Sequence, residues 1–474
     1  MSTSDASSAS ASAVPPRLLP VLFIGVFMAA LDTAVLAPAI PVLRASFGLD
    51  IREAGLLMVA FILFSLPSTA LMANLGDRHG RRPVFLASVG LFAAGSLLIA
   101  LAPNFATLLA GRALQGVGGG GIIPTASAVI GDALPPAQRG RALGLIGATY
   151  GMAFVLGPPL AGLLMTVASW HWIFLLNLPI AALVLVLGRR ALPPQAAAPR
   201  TGAGALPRLD WAGLVLVFFS LGCLVLGITR GLDGLLGRTL WPLLLVAAAL
   251  GLVALVVVET RAAARGQRPM IPLALLQQRQ LACTYLLTAG AGFGMGSVIF
   301  LTSIATLQHG VAHANGGFVL LPMVLCSMLG SVGAGRLLNR LGARRVVLAG
   351  FVLLAGGYGA CAWPGWGLWG FIAATMPVGL GVGVVVGGAL RTIAIDEAPL
   401  PLRGAAQGLV NIFTSVGTLM SATAIGTVAD FAGGGGRGLL LAYAGVAATM
   451  GLMALATLAL RTAPGAQTAL ESRA

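Results

Sequence analysis

The chain has 474 residues, of which 58% are hydrophobic and only 9% charged, with a mean hydropathy of +0.97. A soluble domain carries about 25% charged residues, so these values exclude one and describe an integral membrane protein. The formal charge of +15 comes from 28 arginines against 13 acids, with no lysine, and without a basic, aromatic-bearing soluble region it does not indicate a nucleic-acid partner.

Residues 1–16, MSTSDASSASASAVPP, are low-complexity Ser/Ala sequence and are expected to form a disordered cytoplasmic segment. The apolar run after them contains an acid and lacks a basic leader, which fits a retained span better than a cleaved signal. A bilayer core of about 30 Å needs roughly 20 apolar residues per helix. By that ruler the chain holds fourteen candidate spans, at 18–40, 53–74, 83–102, 105–130, 139–164, 170–188, 210–229, 240–259, 281–305, 316–338, 345–363, 367–391, 404–430 and 439–460.

With the N-terminus inside, about 22 arginines fall on the cytoplasmic side, while Arg44, Arg52, Arg230, Arg238 and Arg437 fall outside. This asymmetry sets the expected orientation, with both termini cytoplasmic, and explains most of the net charge. Cys223, Cys283, Cys326 and Cys361 all lie in apolar segments without metal-ligand spacing and read as reduced packing residues.

Span 1 carries Asp32 in FMAALDTAVLAPAIP, and span 4 carries Arg112, followed by Gln115 and a glycine run. A charge at membrane depth costs at least about 2.5 to 3.5 kcal/mol on insertion scales and must face a partner or a wet cavity. At 1.5 Å per residue, Asp32 lies roughly 13 Å and Arg112 roughly 10 Å below the outer face. The matched depths make them a candidate pair, either a proton-coupling switch or a static contact that fixes packing. Between spans 2 and 3, GDRHGRRP gathers Asp77, Arg78, Gly80, Arg81 and Arg82. Such a cluster can latch two helices or act only as a topogenic loop. Asp77 adds nothing to a positive-inside signal, which favours the latch.

ANLGDRHGRRPVFLAS from Ala73 is echoed by GRLLNRLGARRVVLAG from Gly335, where Asn339, Arg340 and Gly342 take the corresponding places. Spans 1–6 and 9–14 then read as two parallel six-helix units with spans 7 and 8 inserted, the architecture of the major facilitator transporters. The loop from Gly76 to Arg82 resembles the signature loop of that superfamily. LDTAVLAPAIP, GRALQGVGGG, GMAFVLGPPLAG and WHWIFLLNLP resemble motifs of its fourteen-spanner drug:proton antiporter branch. The sequence departs from those motifs at Ala34, Ala37, Ala73, His171, Asn339, Thr414 and Ser415.

The resemblance implies an all-α integral membrane fold of fourteen transmembrane helices. The expected divisions are 1–16, a first bundle 17–190, a loop 191–209, an insert 210–260, a loop 261–280, a second bundle 281–461 and a tail 462–474. It further implies a monomeric inner-membrane exporter of small amphipathic compounds that is driven by the proton gradient. Cargo of either charge is admissible, and neither cofactor nor metal is expected. In span 5, Gly147, Gly151, Gly157, Pro158 and Gly162 match the motif that marks exporters; proline bends a helix and glycine permits close approach. Gln115, Phe293, Met295, Phe300, Asn411 and Thr414 are candidate cavity residues. His309 and His313 read as packed or solvated, Asp396, Glu397 and Asp430 as loop charges, and spans 7 and 8 as free of interior charge. The chain lacks a GxxxxGK[ST] loop, which argues against primary ATP-driven transport.

Overall fold

The computed structural model describes residues 17–49, 51–192, 211–229, 240–264, 272–311, 316–432 and 435–461, which are helices and short turns throughout. The segments 1–16, 193–210 and 462–474, together with His313, Arg230 and Arg238, lie outside the described residues. In chain order the helices are α1 (Leu18–Phe47), α2 (Ile51–His79), α3 (Arg81–Ala100), α4 (Phe105–Ala133), α5 (Pro136–Val167), α6 (His171–Ala191), α7 (Trp211–Thr229) and α8 (Trp241–Ala264). They continue as α9 (Arg279–His309), α10 (Leu321–Leu341), α11 (Ala343–Cys361), α12 (Leu368–Glu397), α13 (Arg403–Phe431) and α14 (Gly435–Ala456). Among the described residues, twelve helices are long and apolar enough to cross a membrane; α5 and α7 stand where the fifth and seventh spans are expected.

Several boundaries differ from the hydropathy ruler for local reasons. α1 runs on past residue 40 to Phe47 and stops at Gly48, whose φ of 64° ends the helix in the left-handed region. α4 starts at residue 105 as expected, capped by Asn104, whose side chain accepts the Thr107 N–H at 2.9 Å. α6 is broken at Leu176, three residues before Pro179, whose ring removes a donor and crowds the preceding turn. α8 continues beyond residue 259 to Ala264, which draws Glu259 into the helix body at 1% exposure. The insert therefore carries a buried acid at the end of its second span, where the sequence reading expected no interior charge.

α1 to α6 pack on one another and α9 to α14 do likewise. The two loops singled out by the sequence repeat share one backbone solution: Gly80 has φ 91° and Gly342 has φ 80°, each joining the second helix of its unit to the third. A side chain at either position would be strained. The inserted pair α7 and α8 lies against both units, with Val217, Leu221, Val225 and Leu255 in one apolar cluster with Leu66 and Ala70 of α2 and Ile412 and Leu419 of α13.

Glycine permits close helix contacts. A Cβ at Gly118 of α4 would stand 2.5 Å from the Phe92 nitrogen and 2.6 Å from the Ser88 oxygen of α3, whereas Gly90 of α3 has nothing within 4 Å. Gly118→Val is expected to destabilise the protein by about 1 to 3 kcal/mol through overpacking, and Gly90→Ala to leave it unchanged. Thermal melting of the two purified variants checks this, and equal melting temperatures would contradict it.

Candidate functional site

Asp32 and Arg112 meet in a sealed polar cluster inside the first unit. An Arg112 guanidinium nitrogen donates to Asp32 Oδ2 at 2.7 Å, and the two residues are 1% and 2% exposed. Asp32 Oδ1 accepts two amide N–H groups, from Gln115 Nε2 at 2.9 Å and from Asn177 Nδ2 at 2.9 Å. Both amides also donate to Ser96 Oγ, at 2.7 Å from Gln115 and 3.1 Å from Asn177. Arg112 in turn donates to Gln115 Oε1 at 2.7 Å and to the Leu57 carbonyl at 3.2 Å, and it lies 4.7 Å from the centroid of the Phe61 ring. Five helices contribute: α1 brings Asp32, α2 brings Leu57 and Phe61, α3 brings Ser96, α4 brings Arg112 and Gln115, and α6 brings Asn177.

Two buried opposite charges are tolerable at this depth because each is paired and hydrogen-bonded. The carboxylate faces donors only, so the cluster is built to hold an anion out of water. Gln115, expected at a cavity wall, is fully buried here, with both amide hydrogens and its oxygen engaged. Asn177 is the lone amide in the run FLLNLPIAALVLVLG and so had a readable signal, whereas Ser96 had none, since serine is common in membrane helices.

A second cluster closes the arginine-rich face, the one from which α1 starts. Arg81 contacts Asp77 at 3.3 Å and Asp132 at 2.6 Å, and Asp132 contacts Arg403 at 3.7 Å. Arg403, the first residue of α13, donates to the Gly131 carbonyl of α4 at 3.0 Å and to the Ile395 carbonyl of α12 at 3.2 Å. Asp77 Oδ2 accepts the Ala405 N–H at 3.3 Å, which places a carboxylate on the free N–H groups and positive dipole end of α13. Gly404 leaves room for it, since a Cβ there would run into the Asp77 carboxylate. Arg139 of α5 reaches Asp396 of α12 at 3.0 Å, so Asp396 joins the two units and is not simply a loop charge. Arg82 donates to the Arg189 carbonyl, and Arg78 is buried. Asp132 and Arg403 were absent from the sequence reading. An acid closing span 4 beside PAQRGR was the available sign of the first.

The seam beneath this face is lined by small residues. Ser331 Oγ of α10 donates to the Gly144 carbonyl of α5, a Cβ at Gly335 would stand 2.6 Å from the Gly140 oxygen, and a Cβ at Gly388 would stand 2.7 Å from the Gly144 nitrogen. Gly147 belongs to this seam, against Gly387 and Ser331. Gly157 faces α1 instead, where a Cβ would stand 2.5 Å from the Ala34 Cβ, and Gly162 has nothing within 4 Å. The span 5 motif is thus divided between sealing the seam and packing within one unit. The side-chain surroundings of Gly151, Pro158 and Asn339 lie outside the described residues, while Arg340 is exposed at the end of α10.

The other candidate cavity residues are dispersed. Asn411 Nδ2 reaches Thr69 Oγ1 at 3.5 Å across α2 and α13, and Thr414 Oγ1 donates to the Val410 carbonyl at 2.7 Å. Phe293 and Phe300 are partly buried against the core of the second unit, and Met295 is partly buried on α9. His309 packs on Phe371 with ring centroids 5.0 Å apart.

The Major Facilitator Superfamily model matches residues 22–422. YfiU, an uncharacterized MFS-type transporter of Bacillus subtilis (strain 168), is 34% identical over 409 residues, covering 84% of this chain and 77% of its own. The multidrug transporter protein MdtP of the same organism is 28% identical over 417 residues, covering 87% of this chain and 74% of its own. Among solved structures, the human organic anion transporter MFSD10 (TETRAN) aligns with a TM-score of 0.70 at 17% identity, over 94% of this chain and 100% of that one, a likeness of fold alone. A two-unit helical fold, a repeated loop built on Gly80 and Gly342 and a match over most of the chain lead to one assignment: the chain belongs to the major facilitator superfamily of membrane transporters.

Proposed function

We propose that the protein is a proton-coupled secondary exporter of small amphipathic compounds in the inner membrane, working by alternating access as a monomer. The observation that carries this reading is the Asp32–Arg112 pair at 2.7 Å, a protonatable group inside a membrane unit where charge is costly. Relatives named as multidrug transporters support the substrate class. The arginine-rich face is taken as cytoplasmic, and its seam then corresponds to a conformer closed toward the cytoplasm. Asp32 takes a proton from outside and releases it inward after the units rock, with Arg112 or a cationic substrate competing for the anion.

Everted vesicles with an imposed pH gradient and a panel of cationic, neutral and anionic dyes test the reading. Gradient-dependent uptake of several unrelated dyes is expected. Uptake of none of them, with proton release upon addition of a single metabolite, would point to a dedicated exporter. Movement of neither dyes nor protons would overturn the proposal in favour of a non-transporting membrane protein.

A further inference from the structure

The donors around Asp32 are fixed by a residue that does not touch it. Ser96 Oγ gives its own hydrogen to the Phe92 carbonyl at 3.0 Å, so toward its other neighbours it acts only as an acceptor. It therefore selects the NH2 ends of the Gln115 and Asn177 amides, and the remaining hydrogen of each is directed at Asp32 Oδ1. A carboxylic acid at this position would bring an O–H to a shell that contains only donors. Proton uptake must then displace a donor or turn an amide so that its oxygen faces inward. Turning the Asn177 amide forfeits its bond to Ser96, and Asn177 begins the second segment of α6 directly after the break at Leu176.

We propose that Asn177 is a positioning residue that, oriented by Ser96, sets the pH at which Asp32 takes up its proton. This deepens the reading of Asp32 as the coupling group and rests on it. Arg112, from α4, is the charged group that faces the carboxylate. Among the described residues no other ionisable group lies within ion-pair distance of it from α1, α2, α3, α5 or α6. His171 begins α6, six residues before Asn177, where it is stacked on Trp170 and bonded to Ser169. Asp77, Arg78, Arg81, Arg82, Arg139, Arg141, Arg189 and Arg190 stand at the arginine-rich ends of their helices.

The test needs no substrate. Infrared difference spectra of the purified full-length protein are recorded across pH, and the carboxylic C=O band missing from Asp32→Asn reports protonation of Asp32. In Asn177→Leu the midpoint of that band is expected about one pH unit higher than in the wild type, the size of one hydrogen bond to a charged group. Ser96→Ala, a milder change, moves it in the same direction by less, and decides the matter if the leucine variant does not fold. A midpoint unmoved in these variants overturns the role of Asn177 while leaving the coupling reading intact. A wild-type protein without any Asp32-dependent band overturns the coupling reading and this inference together.

Discussion

Asp32→Asn is expected to abolish gradient-driven efflux, by about a hundredfold or more, while the protein still inserts into the membrane. The amide occupies nearly the same volume and can still accept from Arg112, but it cannot carry a proton. Its cost to stability comes from Arg112, which is left as an uncompensated charge in a sealed site. Breaking a buried pair by removing one partner costs about 3 to 5 kcal/mol. The double variant Asp32→Asn/Arg112→Gln removes that charge and should recover much of the melting temperature without recovering transport. This separates the two roles of the pair. A static contact predicts that activity returns along with stability, whereas a coupling group predicts that it does not. Dye efflux under an imposed pH gradient, measured beside thermal melting of the same preparations, discriminates them, and intact proton-driven efflux in Asp32→Asn would sink the coupling role.

What could be read in the sequence was whatever depends on depth and local backbone chemistry. Asp32 and Arg112 were matched by counting residues from the same face, and the structure places them 2.7 Å apart. The loop repeat gave the positions of Gly80 and Gly342, because a left-handed turn between two helices needs glycine whichever unit it serves. What could not be read was lateral arrangement. Asn177 and Gln115 lie on different helices, and nothing in either segment says that their amides share Ser96. Gln115 looked like a cavity residue because an exposed amide and a buried one have the same sequence. The glycines of span 5 looked like a single device for the same reason, yet Gly147 faces the second unit and Gly157 faces α1. The insert α7–α8, which had no functional reading from sequence, lies across the α2–α13 boundary. Its span is therefore in contact with two surfaces that alternating access would move relative to each other.

The chain of charges on the arginine-rich face should govern how firmly that side stays shut, and its members are not equivalent. Arg403 ties α13 to Asp132 of α4 and to two carbonyls on α4 and α12, so its loss breaks contacts on both sides of the seam. Asp396, by contrast, is 43% exposed, and its pair with Arg139 is worth about 0 to 1 kcal/mol. Arg403→Ala is accordingly expected to shift the balance between closed and open seams by about 2 kcal/mol, roughly thirtyfold: about 1.5 kcal/mol for the hydrogen bond to the Gly131 carbonyl across the seam and a smaller share for the longer Asp132 contact. Asp396→Asn should shift it by about fivefold or less. Both effects can be read without transport, by introducing Ser331→Cys into a background in which Cys223, Cys283, Cys326 and Cys361 are replaced and following its alkylation by a membrane-impermeant thiol reagent from the arginine-rich side. Ser331 is fully buried against Gly144 in the closed seam, so labelling measures opening. Labelling that rises in Arg403→Ala and barely changes in Asp396→Asn supports the graded latch. Equal rates in the two would mean that the seam is held by its glycine packing, with the charges serving only to fix the chain's orientation.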